Sequence, residues 1–222
     1  MKKTQIVYEN QEILVINKEA GISVQGGEKI AHPLDEELSK QLGYKVFLVH
    51  RLDKETSGLM IVAKSSTAAS KWISLISSKK VKKEYTAICF FEPVIDGKKS
   101  FEGKITDSIE KSGKTLTAQT YFKLFASKEI FLDDESVKIS ALHLTLGSGR
   151  MHQIRIHLAK AGCPIVQDDK HGNFKLNKKV RALGIKKLCL ASTKLTIPNE
   201  KENLVFEIEL PEHMKTALAL LT

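Results

Sequence analysis

Two short apolar runs bounded by polar residues, QIVYEN and EILVINK, lie near the start of the chain and predict two short strands. A polar turn separates them. The loop EAGISVQGGE follows, its glycines suited to turns with positive φ. Leu34, Leu38 and Leu42 then recur at helical spacing and predict a helix over 33–43. VFLVH at 46–50 and GLMIVAK at 58–64 are unbroken apolar runs, expected as buried strands, with the polar segment RLDKETSG between them. Over 66–78, Ala69, Trp72, Ile73 and Ile76 fall at i, i+3, i+4 and i+7, which predicts a helix whose stripe faces the core.

Further along, KKEYTAICFF, TAQTYFKLFA, ISALHLTLG, LCLASTKLTI and NLVFEIEL read as strands. The polar stretch 93–116 is expected to form hairpins or an excursion, and DDES a loop. MHQIRIHLAKAG reads as a helix, with Ile154, Leu158 and Ala161 on one face, His152 and Arg155 on a neighbouring face, and Gly162 ending it. HMKTALALL closes the chain as a short helix. No repeat or linker divides the sequence, so a single domain over 1–222 is expected.

Composition adds little to the fold but narrows the function. The chain has 222 residues, 42% hydrophobic and 27% charged, the composition of an ordinary globular protein, which excludes disordered and fibrous classes. No apolar run approaches the roughly 18 to 20 residues of a membrane span, and MKKTQIVYENQE lacks the apolar centre of a signal peptide. Cys89, Cys163 and Cys189 are odd in number and widely spaced, as expected for reduced buried thiols. A cytoplasmic protein without a membrane partner, and a monomer, is the expectation.

The net charge of +9 matters more as a distribution than as a total. Residues 70–91 carry five lysines against Glu84, and residues 147–187 carry ten bases against Asp168 and Asp169, whereas 1–69 and 92–138 are balanced. Two separate basic segments favour a polyanion partner, because contacts to phosphate supply most sequence-independent affinity for nucleic acid. RNA or DNA is therefore the leading partner class.

Several chemistries lack their motifs. There is no phosphate-binding P-loop, no GxGxxG, no paired CxxC and no GxSxG elbow. His152 and His157 are five apart, without the spacing or the carboxylates of a zinc helix, so neither a metal nor a cofactor is expected. What remains is the polar knot His50-Arg51-Leu52-Asp53-Lys54-Glu55-Thr56-Ser57-Gly58 between two apolar strands. Its carboxylate suits either a turn in which Asp53 caps backbone amides or a nucleophile or base.

HRLDKETSGLMIVAK resembles the nucleophile motif of the RluA-type pseudouridine synthases, and GRMHQIRIHLAKAG is similar to the second long motif of that family. KKEYTAICF resembles a third motif and supplies Tyr85. VINKEAGISV resembles the family's NKPAG segment with Glu19 in place of proline, and IVQDDKHG resembles its GDxxYG-like stretch. The segments occur in the family's order and spread over nearly the whole chain. Departures are Gln167 where glycine is common, His171 where tyrosine is common, and Ala191 where many relatives carry histidine.

The resemblance implies an α+β fold, a mixed, largely antiparallel central β-sheet flanked by helices with a central active-site cleft. It implies an enzyme that breaks the glycosidic bond of a uridine in RNA, rotates the uracil and rejoins it through carbon 5. In this family pattern Asp53 is the catalytic carboxylate, acting as nucleophile or as base on the ribose. Arg155 keeps it ionised and oriented, and Tyr85 lies against the uracil. Arg51 fills the gap left by the flipped base, and Leu190 packs on the uracil. His50, Arg150, His152 and Gln153 are candidate RNA contacts, the last three beginning a basic helix whose N-terminus suits phosphate.

The catalytic resemblance begins near residue 7, so the small N-terminal RNA-binding domain of many relatives is expected to be absent. The end of the chain looks most like members acting on large-subunit (23S) ribosomal RNA. Transfer RNA is the alternative substrate. A non-catalytic RNA-binding or ribosome-assembly protein on the same fold is the alternative class, and Asp53, Tyr85 and Arg155 together argue against it.

Overall fold

A computed structural model describes residues 3–27, 30–111, 114–133 and 135–221. Glu28 at the end of the glycine-rich loop, Ser112 and Gly113 in the polar stretch, and Asp134 in the acidic turn lie outside the described residues. In chain order the elements are β1 (Gln5–Glu9), β2 (Ile13–Lys18), α1 (Leu34–Leu42), β3 (Phe47–Leu48), β4 (Ser57–Ala63), α2 (Ser66–Ser77), β5 (Lys82–Phe90), β6 (Val94–Ile95), β7 (Lys98–Lys99), β8 (Glu102–Lys111), β9 (Lys114–Leu132), β10 (Glu135–Leu146), α3 (Gln153–Lys160), α4 (Phe174–Ala182), β11 (Leu190–Ile197), β12 (Leu204–Glu207) and α5 (Glu212–Leu218). Among the described residues no helix is long and apolar enough to cross a membrane.

The chain forms two compact units, each made of separate stretches of sequence: 1–83 with 192–209, and 84–191 with 210–222. Neither is a terminal domain that could be cut away. The fold class is α+β, and the pairs β1–β2, β2–β4, β3–β4, β5–β10, β9–β10, β8–β9 and β11–β12 are antiparallel.

In the first unit, β2 lies between β1 and β4, and β3 adds to β4 through Phe47 and Leu48. Ile13 to Ile16 and Leu59 to Ala63 are almost wholly buried, which explains why these strands read as continuous apolar runs. One face packs Val15, Ile61, Leu195 and Ile197 against Trp72 and Ala69 of α2. Tyr8 and Phe206 extend that cluster with ring centroids 5.0 Å apart. Ser65 caps α2 by accepting from the Ala68 amide at 3.1 Å. The expected stripe needs one correction: Ile73 is 46% exposed, and Ala68 takes its place in the buried face with Ala69 and Trp72.

In the second unit, β10 pairs on one side with β5 and on the other with β9, and β9 continues into β8. The polar stretch expected as hairpins or an excursion holds the short antiparallel pair β6–β7 and the strand β8, which pairs with β9; β9 runs 19 residues and starts before the expected strand. Of the acidic segment expected as a loop, Glu135 and Ser136 already lie in β10. The helix α4 was not foreseen. Asn173 caps it by accepting from the Leu176 amide, and Leu176, Asn177 and Val180 form its buried face. All three cysteines are free and buried.

Gly58 opens β4 at φ +109°, and a Cβ there would lie 2.2 Å from the Ser192 carbonyl oxygen. Both the backbone angle and the close approach exclude a side chain. We expect Gly58→Ala to destabilise by about 3 kcal/mol or more in urea denaturation, whereas Gly26→Ala, which meets only ordinary contacts, stays within about 0.5 kcal/mol.

Candidate active site

In the first unit the segment carrying Asp53 is held from below by a buried lysine. Lys18, at the end of β2 and 1% exposed, donates to the carbonyls of Glu19 (3.0 Å), Ile22 (2.9 Å) and Lys54 (3.0 Å). An ammonium has three donors, and here all are used. The Lys54 carbonyl also accepts from the Gly21 amide at 2.9 Å, which ties the 19–22 loop to the 51–56 segment. Burial draws the Lys18 ammonium down to about 8, against the opposing pull of the Glu55 and Asp53 carboxylates. The turn itself closes when the Thr56 amide donates to the Asp53 carbonyl at 3.1 Å. Asp53 is thus half-exposed between the buried Leu52 and Thr56.

His50 lies at the entrance to this turn. Its Nε2 accepts from the Ile61 amide at 2.9 Å, so the ring's proton sits on Nδ1. Burial, with the Lys83 ammonium adding to it, lowers its ionisation to about 3, and the ring is neutral at physiological pH. Arg51 is exposed.

In the second unit Arg155 projects from α3 with only 7% of its surface exposed. Its Nε and one Nη donate to the two oxygens of Asp168 at 2.8 and 2.7 Å, a bidentate fork. Burial alone would raise the Asp168 carboxyl, but Arg155 and the amides of His171 and Lys170 outweigh it and hold it below its usual range. Asp168 was not anticipated as a partner of Arg155. The pattern IVQDDKHG marks the segment but says nothing of which carboxylate faces which helix.

A second layer fixes Asp168. Asn177, wholly buried on α4, accepts from the Gln167 amide at 2.8 Å and donates to the Asp168 carbonyl at 3.1 Å. Gln167 adopts φ +61°, the left-handed conformation where glycine is usual, at a cost of roughly 1–2 kcal/mol for a residue with a side chain. Its amide nitrogen donates to the Asn177 carbonyl and its amide oxygen accepts from Arg181 Nε, which offsets that strain. Gly172 closes the turn because a Cβ would meet the Asp168 carbonyl oxygen at 2.2 Å.

The remaining candidates all lie in the second unit. Tyr85 on β5 is 5% exposed and opposite Leu144 of β10, and Leu190 opens β11 at 3% exposed. Arg150 is exposed, and its amide donates to Gln153 Oε1. That oxygen also accepts from Ser148, while Gln153 Nε2 donates to the Gln119 carbonyl and Thr120 hydroxyl, so all four hydrogen-bonding positions of the side chain are taken by protein. His152 precedes α3 in a left-handed conformation and shares a 2.9 Å hydrogen bond with His171, the residue standing where tyrosine is common. Among the described residues no group of three or more metal-ligating side chains is assembled.

The family model described as RNA pseudouridylate synthase matches residues 12–160, two thirds of the chain. The chain belongs to the RNA pseudouridylate synthase family. Within it, the chain is 38% identical over 200 residues to ribosomal large subunit pseudouridine synthase C of Rickettsia felis, covering 84% of this chain and 62% of that protein. It is 30% identical over 229 residues to the protein of that name in Haemophilus influenzae, covering 97% of this chain and 68% of that one. The chain therefore spans about three fifths of the length of the first of these relatives. The fold is shared with human RNA pseudouridylate synthase domain containing 4, at TM-score 0.76 and 23% identity over 98% of this chain and 92% of that one.

Two outcomes follow from this synthase-family geometry. Asp168→Ala leaves the Arg155 guanidinium buried without its fork and should cost about 3–5 kcal/mol in urea denaturation. His50 is neutral when folded and ordinary when unfolded, so its contribution is complete above about pH 6.5 and is lost as pH falls toward about 3. Unfolding free energy measured across that window should fall with acid in the native protein. The slope should be shallower in His50→Gln, which keeps an acceptor for Ile61 and does not titrate.

Proposed function

We propose that the protein isomerises specific uridines to pseudouridine in structured RNA, with large-subunit ribosomal RNA as substrate. The observation that carries this reading is Asp53, presented half-exposed on a turn that Lys18 and Gly21 lock to the neighbouring loop, inside the segment matched by the family. The relatives named for the ribosomal large subunit favour that RNA over transfer RNA.

The chemistry needs no redox step and no net hydrolysis. The Asp53 carboxylate acts at the ribose as the bond from uracil N1 to the sugar breaks, the uracil turns within the pocket, and carbon 5 joins the sugar. The proton on carbon 5 is then lost, and N1 ends protonated. Arg155 serves as the buried cation of the site, its plane fixed by Asp168, and a lysine could supply charge there but not the fork. Tyr85 supplies a rigid aromatic face beside the base. In this reading Arg51, exposed on the Asp53 turn, fills the stack vacated by the flipped uridine, whose extrusion costs a few kcal/mol and less in a loop than in a duplex. Arg150 and His152 contact the flanking RNA.

Pseudouridine mapping by a chemical adduct that stops reverse transcription, in cells with and without the gene, should show loss of one or a few stops in large-subunit ribosomal RNA and none in transfer RNA. Loss confined to transfer RNA would overturn the substrate, and loss in neither would overturn the activity.

A further inference from the structure

The basic segment around Arg155 continues through α4 and its flanking turns. From 170 to 187 the chain carries seven lysines and arginines and no acid. Two of the seven are neutralised locally: Arg181 forks onto Asp169, and Lys179 pairs with Glu135 and Asp133. The other five, Lys170, Lys175, Lys178, Lys186 and Lys187, are all exposed, and among the described residues no carboxylate pairs with any of them. Lysines solely for solubility are ordinarily interspersed with acids.

Their placement follows from α4. The helix buries Leu176, Asn177 and Val180, so Phe174, Lys175 and Lys178 share the opposite side, where Phe174 is 65% exposed. An exposed phenylalanine at the first helical position, with lysines one and four residues on, combines a flat stacking surface with point charges. Leu176 and Val180 of α4 are already covered, so within the helix Phe174 alone is an exposed large apolar side chain, too little for an amphipathic face that enters a lipid surface. The face is also rigid, because Asn173 caps the helix and Asn177 and Arg181 bond it to the 167–169 segment.

We propose that the outer face of α4 and its flanking turns, with Lys170, Phe174, Lys175, Lys178, Lys186 and Lys187, grips a single-stranded segment of the RNA substrate, the lysines on phosphates and Phe174 stacked on a base. The inference rests on the RNA-acting reading above and adds to it a surface outside the proposed catalytic residues. The nine-residue helix is about 13 Å long, the span of roughly four phosphates in a stacked strand. Its grip is independent of base sequence, since every base offers a face to Phe174.

The test measures affinity of the full chain for a uridine-containing large-subunit ribosomal RNA fragment against salt, with pseudouridine formation followed in parallel. Lys175→Gln with Lys178→Gln should raise Kd about tenfold near 0.15 M salt and reduce the slope of log K against log salt by about 1.5. Phe174→Ala should raise Kd at least about fivefold without changing that slope. Lys201→Gln, an exposed lysine in the other unit, should do neither. Folded variants that match the native Kd and slope within twofold would overturn the proposal. So would vesicles containing phosphatidylglycerol that bind the native protein through these residues while RNA binding stays intact. A native protein that binds RNA through this face yet converts no uridine would overturn the catalytic reading and leave this one standing.

Discussion

A buried ammonium must find an acceptor for each of its protons, and Lys18 meets that demand from three backbone carbonyls in two loops. This constraint organises the Asp53 segment of the first unit. Because one acceptor belongs to Lys54, the ammonium cannot be satisfied unless the 51–56 segment stands where it does. That position in turn sets Asp53 at the surface while its neighbours Leu52 and Thr56 stay buried. The strands on either side supply the rigidity, β2 and β4 being paired from Ile13 to Lys18 and apolar on both faces.

The second unit uses a different solution to a similar problem. A guanidinium is large, planar and charged, and α3 holds it buried only because Asp168 offers both oxygens in the plane of the fork. The order continues outward: Asp168 is shaped by a turn, the turn by Asn177, and Asn177 by the packing of α4. One helix therefore carries two duties on opposite sides, a buried amide that fixes the geometry around Arg155 and an exposed row of cations.

How much of this could be read from residues alone depended on the range of the interaction. The buried strands and α3 were legible because apolar periodicity is local. The stripe of α2 was displaced at Ile73 because i+4 from Ala69 also falls at the edge of the face, and Ala68 covers the core instead. The helix α4 was missed because its buried side includes an asparagine and its remaining positions are mostly lysine, which looks like a solvated loop. Asp53, Arg155 and Tyr85 were reached through motif resemblance. Lys18 and Asn177 were invisible, since the partners that satisfy them when buried are set by the fold: the Lys54 carbonyl on a separate segment for one, and the left-handed turn at Gln167 for the other. The departure at Gln167 becomes intelligible only with its bonds to Asn177 and Arg181 in view.

The central claim is that Asp53 performs chemistry rather than merely closing a turn. The most direct measurement compares native protein with Asp53→Asn on one uridine-containing ribosomal RNA fragment, following pseudouridine formation and RNA affinity in parallel. An amide keeps the size of the side chain and removes its charge, so turnover should fall by about 1,000-fold or more while Kd stays within severalfold. Turnover retained within about tenfold by the folded variant would contradict the account.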